Sequence, residues 1–392
     1  MNKDATILII YSTFGDGHLQ VANSLKQTFN DMGYERIHLV DLLAEAHPLW
    51  NTLSRFAYLK STVYCPKLYG LSYHMANSRK QNLWLNQWLH AIGKHKISAL
   101  IEKWKPDAVI HTFPFLTVPQ MSLKRESSMP LTFTVLTDYV LHSRWIHPGT
   151  YRYFVATEDL KGEMLRYGVS DKQVVVSGIP VRNPFLKEFI LETLFEKYKL
   201  NPQRKYLLLA AGAHGVLSNI REQVQTILKG TSFDILLVCG NNGKLAAQMK
   251  KTYASEQRIH VFGYVKKMEE LMSVSACLVT KAGGITLSEA AVKSLPVVVY
   301  RPLPGQEKGN ADSLSARGAL LIANNLNELS ANLVRLEDDG FRQEMARAMG
   351  QVREYDAAGT IATNIVREIQ QHSFACERVN IQQNRQAVQR YR

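Results

Sequence analysis

Short apolar stretches rich in valine, isoleucine and leucine recur along the chain, and longer segments with the spacing of amphipathic helices separate them. The apolar stretches are continuous rather than alternating, which predicts strands buried on both faces, as in parallel sheets covered by helices. The pattern therefore predicts an α/β fold built from doubly wound parallel sheets. Twelve strands are predicted, at 6–11, 37–40, 107–111, 131–136, 153–156, 174–177, 206–211, 234–239, 259–262, 276–280, 296–300 and 319–322.

The alternation of strands and helices is interrupted once, at 177–185, where the stretch SGIPVRNPF carries two prolines. A chain of 392 residues is too long for one compact core. We therefore predict two domains, at 1–183 and 184–360, followed by a C-terminal helix and basic tail at 361–392. Ligands of doubly wound sheets bind beyond the carboxyl ends of the strands, so we expect the ligand in the cleft between the domains.

Charge is the one feature of the composition that changes this picture. The formal net charge of +13 favours a polyanionic partner, either nucleic acid or an anionic membrane surface. No helix-turn-helix, zinc or RRM signature is present, so we expect no nucleic-acid partner.

The four cysteines lie far apart without a metal-binding spacing, which is typical of reduced thiols in a cytosolic protein. We expect neither a signal peptide nor a membrane-spanning helix.

The stretch FGDGHLQVANSL (14–25) follows the first predicted strand and begins a helical pattern. It is not a dinucleotide fingerprint, because the third glycine would fall at Gln20, and it is not a Walker A loop, because no G-K-[ST] follows. We interpret Gly15 and Gly17 as a turn that lets a ligand approach a helix N-terminus, with His18 at its mouth. The alternative is that His18 only caps the helix.

The stretch TKAGGITLSEAAV (280–292) repeats this arrangement of strand, glycine pair and helix. Gly283 and Gly284 would expose backbone amides suited to a diphosphate. Glu289 lies where a carboxylate would accept hydrogen bonds from a ribose diol, or else on a solvated helix face. Thr286 is either a further ligand or an N-cap.

Further polar turns follow other strands of the second half. The stretch RPLPGQEKGNA (301–311) offers mixed donors and acceptors for sugar hydroxyls. AAGAHGV (210–216) is another glycine turn, and VFGYV (261–265) would read a base edge through its backbone or simply end a strand. Together with CGNN (239–242), these turns add candidate donor-binding residues: Gly212, His214, Gly240, Asn241, Phe262, Gly263, Tyr264, Val265, Gln306, Glu307 and Asn310.

Residues 46–101 contain no aspartate or glutamate, although they are rich in lysine, arginine and aromatic residues. Basic residues mixed with interfacial aromatics are typical of a segment that lies on an anionic bilayer. The alternative is a buried set of aromatics beside a solvated charged face. The residues predicted to contact the membrane or the acceptor are Trp50, Tyr58, Lys60, Tyr64, Lys67, Tyr69, Arg79, Lys80, Trp84 and Trp88, with Trp145 further along the chain.

The order of these motifs resembles one family. STFGDGH, HTFPF (111–115), LTDYVLHSRW (136–145), SGIPVR, GAHGV, CGNN, FGYV, TKAGGITLSEA and PLPGQEKGNA are similar to the monogalactosyldiacylglycerol synthase-like branch of glycosyltransferase family 28, and within it to bacterial processive diacylglycerol glucosyltransferases. The resemblance implies the GT-B architecture, with two facing Rossmann-like domains. It assigns the lipid acceptor to the N-terminal domain and the UDP-sugar to the C-terminal domain, and it implies a C-terminal helix that crosses back.

The resemblance also implies the activity. It implies inverting transfer of glucose from UDP-glucose to diacylglycerol, and successively to glucosyl-diacylglycerols, at the cytoplasmic face of the cell membrane. The products would be beta-linked membrane glycolipids that also anchor lipoteichoic acid. His18 and Asp138 are both candidates for the base, and Asp138 is alternatively the group that orients the imidazole. No D-x-D motif is present, so we expect no metal and no other cofactor, with the helix amides at Gly283 and Gly284 facing the leaving group.

Other functions remain open at this point. A UDP-galactose-dependent diacylglycerol galactosyltransferase and a transferase acting on a polyprenyl-linked precursor of peptidoglycan are the related alternatives. A UDP-sugar epimerase shares the expected fold, and a nucleic-acid-binding protein would account for the net charge.

Overall fold

Two parallel sheets carry the part of the chain that the computed structural model describes, namely residues 4–13, 16–46, 93–114, 117–122, 129–212 and 219–372. The twelve predicted strands are confirmed, each end lying within one residue of its predicted position. The first sheet contains Ile7–Tyr11 (β1), Ile37–Asp41 (β2), Ala108–His111 (β3), Leu131–Val135 (β4), Arg152–Val155 (β5) and Val174–Val176 (β6). The second contains Tyr206–Ala210 (β7), Asp234–Val238 (β8), Ile259–Phe262 (β9), Ser275–Thr280 (β10), Val297–Tyr300 (β11) and Leu320–Ala323 (β12).

Helices cover both sheets. They lie at Asp16–Asp31 (α1), Leu42–Ala46 (α2), Lys94–Trp104 (α3), Thr117–Ser122 (α4), Glu158–Arg166 (α5), Leu191–Tyr198 (α6), Ile220–Gly230 (α7), Gly243–Thr252 (α8), Met268–Ser273 (α9), Gly284–Val292 (α10), Gln306–Ser315 (α11), Leu326–Glu337 (α12), Asp339–Val352 (α13) and 357–372 (α14). Among the described helices, none is both long and apolar enough to cross a membrane.

Helix α1 illustrates how the sequence pattern produces these layers. Val21, Ala22, Leu25 and Phe29 recur at the spacing of one helix face, and all four are fully buried. The strands beneath are apolar on both faces, as the continuous run from Ile7 to Ile10 predicts, since each of its residues is also fully buried. Buried layers on both sides of the sheet therefore follow directly from the pattern.

The order of the strands shows where ligands are expected. The first sheet has the order β2-β1-β3-β4-β5-β6, and the second has β12-β11-β10-β7-β8-β9. The direction of winding reverses between β1 and β3 in the first sheet, and between β7 and β10 in the second. In doubly wound folds ligands bind in the crevice at the carboxyl ends of the strands at this switch point. The segments that follow β1, β3, β7 and β10 are therefore the expected site.

Helix α14 returns from the second sheet to the first. Its Glu368 is buried and accepts a hydrogen bond from the Tyr151 hydroxyl at 2.6 Å, and it pairs with Arg152 at 2.7 Å. Ile361 and Ile365 join a hydrophobic core that continues from the first sheet to the second. The predicted crossing helix is confirmed as far as residue 372, and so is the predicted fold class of two doubly wound parallel sheets.

Candidate active site

His18 lies in the first turn of α1, at the switch point of the first sheet. Its Nδ1 is 2.6 Å from the carbonyl oxygen of Thr112, which directly follows β3. A carbonyl oxygen only accepts, so Nδ1 carries the proton and donates it, and the lone pair of the neutral ring is on Nε2. The ring of Phe113 packs edge-on at 4.9 Å between centroids. The local fold thus determines both the tautomer and the orientation of the imidazole.

The electrostatic surroundings keep this imidazole neutral. Burial lowers the pKa of His18 below its ordinary value of 6.5, while the charge of Asp138 and the hydrogen bond to Thr112 oppose that effect. A histidine with a lowered pKa is unprotonated at neutral pH. His18 is therefore able to accept a proton there.

Asp138 is buried in the loop after β4 and receives its hydrogen bonds from the second half of the chain. The Asn310 amide of α11 donates to its Oδ1 at 2.9 Å. Burial raises the pKa of Asp138, and hydrogen bonds from Asn310 and Gln306, together with the charge of His18, oppose this. The imidazole proton of His18 goes to Thr112 rather than to Asp138. Asp138 therefore acts on His18 through its charge.

The N-terminus of α10 packs directly against this loop. A Cβ on Gly284 would lie 2.1 Å from the carbonyl oxygen of Thr137, so only glycine permits the contact. Gly17 faces the same helix, and a Cβ there would lie 2.9 Å from Cγ1 of Ile285. The close approach of α1 to α10 therefore explains why residue 17 is a glycine. The N-cap residue Gly283 provides no side-chain cap, so the first amides of α10 are available to an anion.

A cleft of about 560 Å³ extends from this point between the two halves. Leu19, Gln20 and Asn23 of α1 line it on one side. On the other side it is lined by segments that follow the strands of the second sheet. Seven of the predicted donor-binding residues line it: Gly212, Gly240, Asn241, Tyr264, Val265, Thr286 and Glu289.

Glu289 is the ionisable acid of this cleft. It is 7% exposed, and burial raises its pKa to about 8, with Glu269 adding to that effect and Arg182 opposing it. This shift favours the protonated form of its carboxyl near neutral pH. A protonated carboxyl both donates and accepts, which suits a vicinal diol.

Arg182 is a cleft residue that the sequence interpretation overlooked. It belongs to the segment between the sheets, pairs with Glu269 at 2.9 Å and donates to the backbone oxygen of Lys266 at 3.0 Å. Arg182 ends the SGIPVR motif, from which the sequence interpretation took a domain boundary and part of the family resemblance but no site residue. Gln20 and Asn23 were also overlooked, although their spacing of three residues puts them on one face of α1, close to His18 in the chain.

Other predicted donor residues that the structure describes do not line this cleft. Phe262 and Gly263 come at the end of β9, beside the cleft residue Tyr264. Glu307 accepts a hydrogen bond from the Leu303 amide at 3.0 Å, which closes the turn before α11. Asn310 is fully buried on Asp138.

Most of the predicted membrane contacts lie outside the described residues. These are Trp50, Tyr58, Lys60, Tyr64, Lys67, Tyr69, Arg79, Lys80, Trp84 and Trp88, and the predicted donor residue His214 also lies outside them. Trp145 is described, and the structure corrects its prediction. It stands in a single 3₁₀ turn, Ser143–Trp145, and its side chain is 3% exposed in the core of the first sheet, so it has no surface to offer a bilayer.

Comparison with known families adds to this geometry. Residues 18–181 match the family model described as monogalactosyldiacylglycerol (MGDG) synthase, and residues 209–361 match that of the glycosyltransferase family 28 C-terminal domain. A protein of Bacillus cytotoxicus named processive diacylglycerol beta-glucosyltransferase is 36% identical over 94% of this chain and 95% of its own.

Two solved structures share the fold. MurG of Acinetobacter baumannii superposes with a TM-score of 0.63 at 15% identity, covering 93% of this chain and 99% of that one. The UDP-GlcNAc 2-epimerase of Neisseria meningitidis, bound to UDP-GlcNAc, gives a TM-score of 0.56 at 17% identity, covering 92% and 100%. At these identities the likeness establishes the fold alone, which is the GT-B architecture.

Proposed function

We propose, because this chain belongs to the family of the processive diacylglycerol beta-glucosyltransferases, that it transfers glucose from UDP-glucose to the hydroxyl of diacylglycerol. Further transfers would extend the glucosyl-diacylglycerol, giving membrane glycolipids that also serve as lipoteichoic acid anchors. The observation that carries the proposal is the neutral, oriented imidazole of His18, which stands beside the uncapped N-terminus of α10.

The proposed chemistry is one displacement with inversion. Nε2 of His18 accepts the proton of the lipid hydroxyl as its oxygen forms a bond to C1 of glucose and the bond from C1 to the UDP oxygen breaks. The negative charge that develops on the diphosphate faces the amides at Gly283 and Gly284. The charge of Asp138 stabilises the imidazolium that forms.

The decisive assay supplies UDP-glucose or UDP-galactose with diacylglycerol micelles and identifies the lipid products by mass spectrometry. We expect mono- and diglucosyl lipids, formed equally well with EDTA because helix amides stabilise the leaving group. If galactolipids are the sole products, the protein is a UDP-galactose-dependent diacylglycerol galactosyltransferase. If it transfers sugar only to a polyprenyl-linked acceptor, it is a transferase of peptidoglycan synthesis. Conversion of the UDP-sugar without a lipid product would indicate an epimerase.

Replacing Glu289 by alanine is expected to raise KM for UDP-glucose roughly 10- to 30-fold with kcat little changed, because two neutral hydrogen bonds contribute about 1 kcal/mol each. Glu289→Gln should keep most of the affinity at pH 7, since an amide resembles the protonated carboxyl. Steady-state kinetics in UDP-glucose measure both. An unchanged KM in Glu289→Ala would remove Glu289 from the nucleotide site.

We also propose that residues 46–101 hold the protein on the cytoplasmic face of the membrane, since diacylglycerol stays in the bilayer. Each lysine or arginine near an anionic surface contributes about 1 kcal/mol. Flotation should show binding to anionic vesicles that weakens with salt. Charge reversal at Lys60, Lys67, Arg79 and Lys80 should abolish it, whereas reversal at four exposed lysines of the second half should not: Lys229, Lys244, Lys250 and Lys251. Equal binding to neutral and anionic vesicles would contradict the proposal.

A further inference from the structure

Asn310 joins the two halves of the chain at the centre of the site. It lies on α11, is fully buried, and makes three hydrogen bonds. Nδ2 donates to Oδ1 of Asp138 at 2.9 Å and to the carbonyl oxygen of Ala282 at 3.1 Å, and Oδ1 accepts from the backbone amide of Tyr139 at 2.8 Å. Two of these partners belong to the first half and one to the second.

These partners determine the orientation of the amide. The backbone N–H of Tyr139 only donates, so it must face the oxygen of Asn310, and the carbonyl of Ala282 only accepts, so it must face the nitrogen. Both N–H groups of Asn310 are then in use, and its oxygen already accepts one bond. A fully buried side chain with its donors occupied has no donor left for a sugar hydroxyl.

The same bonds act on Asp138. A donor to a buried carboxylate stabilises the ionised form, which burial alone disfavours. The second contact, to Tyr139, fixes the backbone on the C-terminal side of Asp138. The carboxyl group is therefore held in place, while the bond from Asn310 opposes the rise in its pKa that burial causes. Gln306 also donates to Asp138. Among the residues that the structure describes, Asn310 is the one bonded both to this side chain and to the adjoining backbone.

We propose that Asn310 is a positioning residue, which holds the Asp138 carboxylate where its charge stabilises the imidazolium of His18. This inference rests on the proposed transfer reaction, and it replaces the sugar contact that the sequence suggested for Asn310. It also makes the reactive arrangement depend on contact between the halves, since the base lies on the first sheet and the residue that positions its partner lies on the second.

The test is Asn310→Asp, which keeps the shape, removes both donors and places a second carboxyl beside Asp138. Two carboxylates that share a buried site raise the pKa of one of them. We therefore expect the variant to lose kcat on acidification as this carboxyl pair takes up a proton, at a pH about one unit or more above the acidic limb that His18 gives in the wild type. At pH 7 kcat should fall roughly 10- to 100-fold, the range that corresponds to about 1.4–2.8 kcal/mol. KM for UDP-glucose should change less than about twofold, because no sugar contact is lost.

The matched control is Asn332→Asp, since Asn332 also donates to a partly buried backbone carbonyl of the second half, that of Ile322 at 2.9 Å. It should leave the pH profile in place. If Asn310→Asp and Asn310→Ala instead raise KM and leave the profile unmoved, Asn310 contacts the sugar and the inference is wrong. Calorimetric binding of UDP verifies that the variants are folded. If the wild-type protein makes no glycolipid, the proposed function is wrong. If the wild type is active and the Asn310 variants raise KM without moving the pH profile, only this inference is wrong.

Discussion

Replacement of His18 by alanine is expected to lower kcat by at least about 100-fold, the contribution typical of a general base, while UDP affinity changes little. The imidazole is partly buried and its pKa is lowered below 6.5, so the wild-type protein has its base unprotonated in the neutral range. The acidic limb of the wild-type kcat/KM profile should accordingly lie below pH 6.5 and disappear in the variant. Initial rates with diacylglycerol micelles and calorimetry with UDP measure the two effects.

His38→Ala is the matched control for this prediction. His38 lies on β2 at the edge of the first sheet, where its ring stacks on Trp104 at 4.1 Å, and burial and nearby lysines lower its pKa as well. Loss of this ring should leave kcat near that of the wild type. Near-full turnover by His18→Ala would transfer the base role to Asp138, and Asp138→Asn would then be the variant that loses activity.

The fold could be predicted closely because its strands carry a strong local signal. In runs such as Ile7–Ile10 every residue is apolar and fully buried, so the pattern alone identifies a strand covered on both faces. Turns that follow such strands must lie at the carboxyl edge of a parallel sheet. This places His18 and Gly283 at the carboxyl edges of their sheets without any knowledge of the tertiary structure, whereas the strand order that makes these positions switch points is visible only in the structure.

The pairings inside the site could not be predicted, because they join residues far apart in the chain. Asn310 and Asp138 are 172 positions apart, and a polar asparagine in a loop-like sequence is equally typical of a ligand and of a buried partner. The same limit applies to Gly17, whose neighbour Ile285 belongs to the other half. Trp145 was predicted to contact the membrane or the acceptor but is buried. An aromatic residue near basic residues gives the same sequence pattern whether its side chain faces a bilayer or the protein core.

The substitution Gly284→Ala is expected to lower kcat by roughly 100-fold, the loss that a misplacement of about 1 Å can cause. Its added Cβ would stand 2.1 Å from the carbonyl oxygen of Thr137 and 3.1 Å from Oδ1 of Asp138. The nearer atom belongs to the backbone, so the overlap is relieved only if α10 and the loop after β4 move apart. That movement separates His18 from the first backbone amides of α10, which face the diphosphate in the proposed reaction. It also strains the hydrogen bonds of Asn310.

The loss should appear mainly in kcat, because the cleft proposed to bind the nucleotide belongs largely to the second half and moves with α10. Overpacking of this kind also costs about 1–3 kcal/mol of stability, so thermal unfolding is measured beside the kinetics. Gly162→Ala on α5 is the matched control, since a Cβ there meets no atom within 4 Å and a helix interior favours alanine. If Gly284→Ala keeps the kcat of the wild type, transfer does not require the close contact between α10 and Thr137. The amides of α10 would then have to reach the diphosphate from a more open arrangement of the two halves.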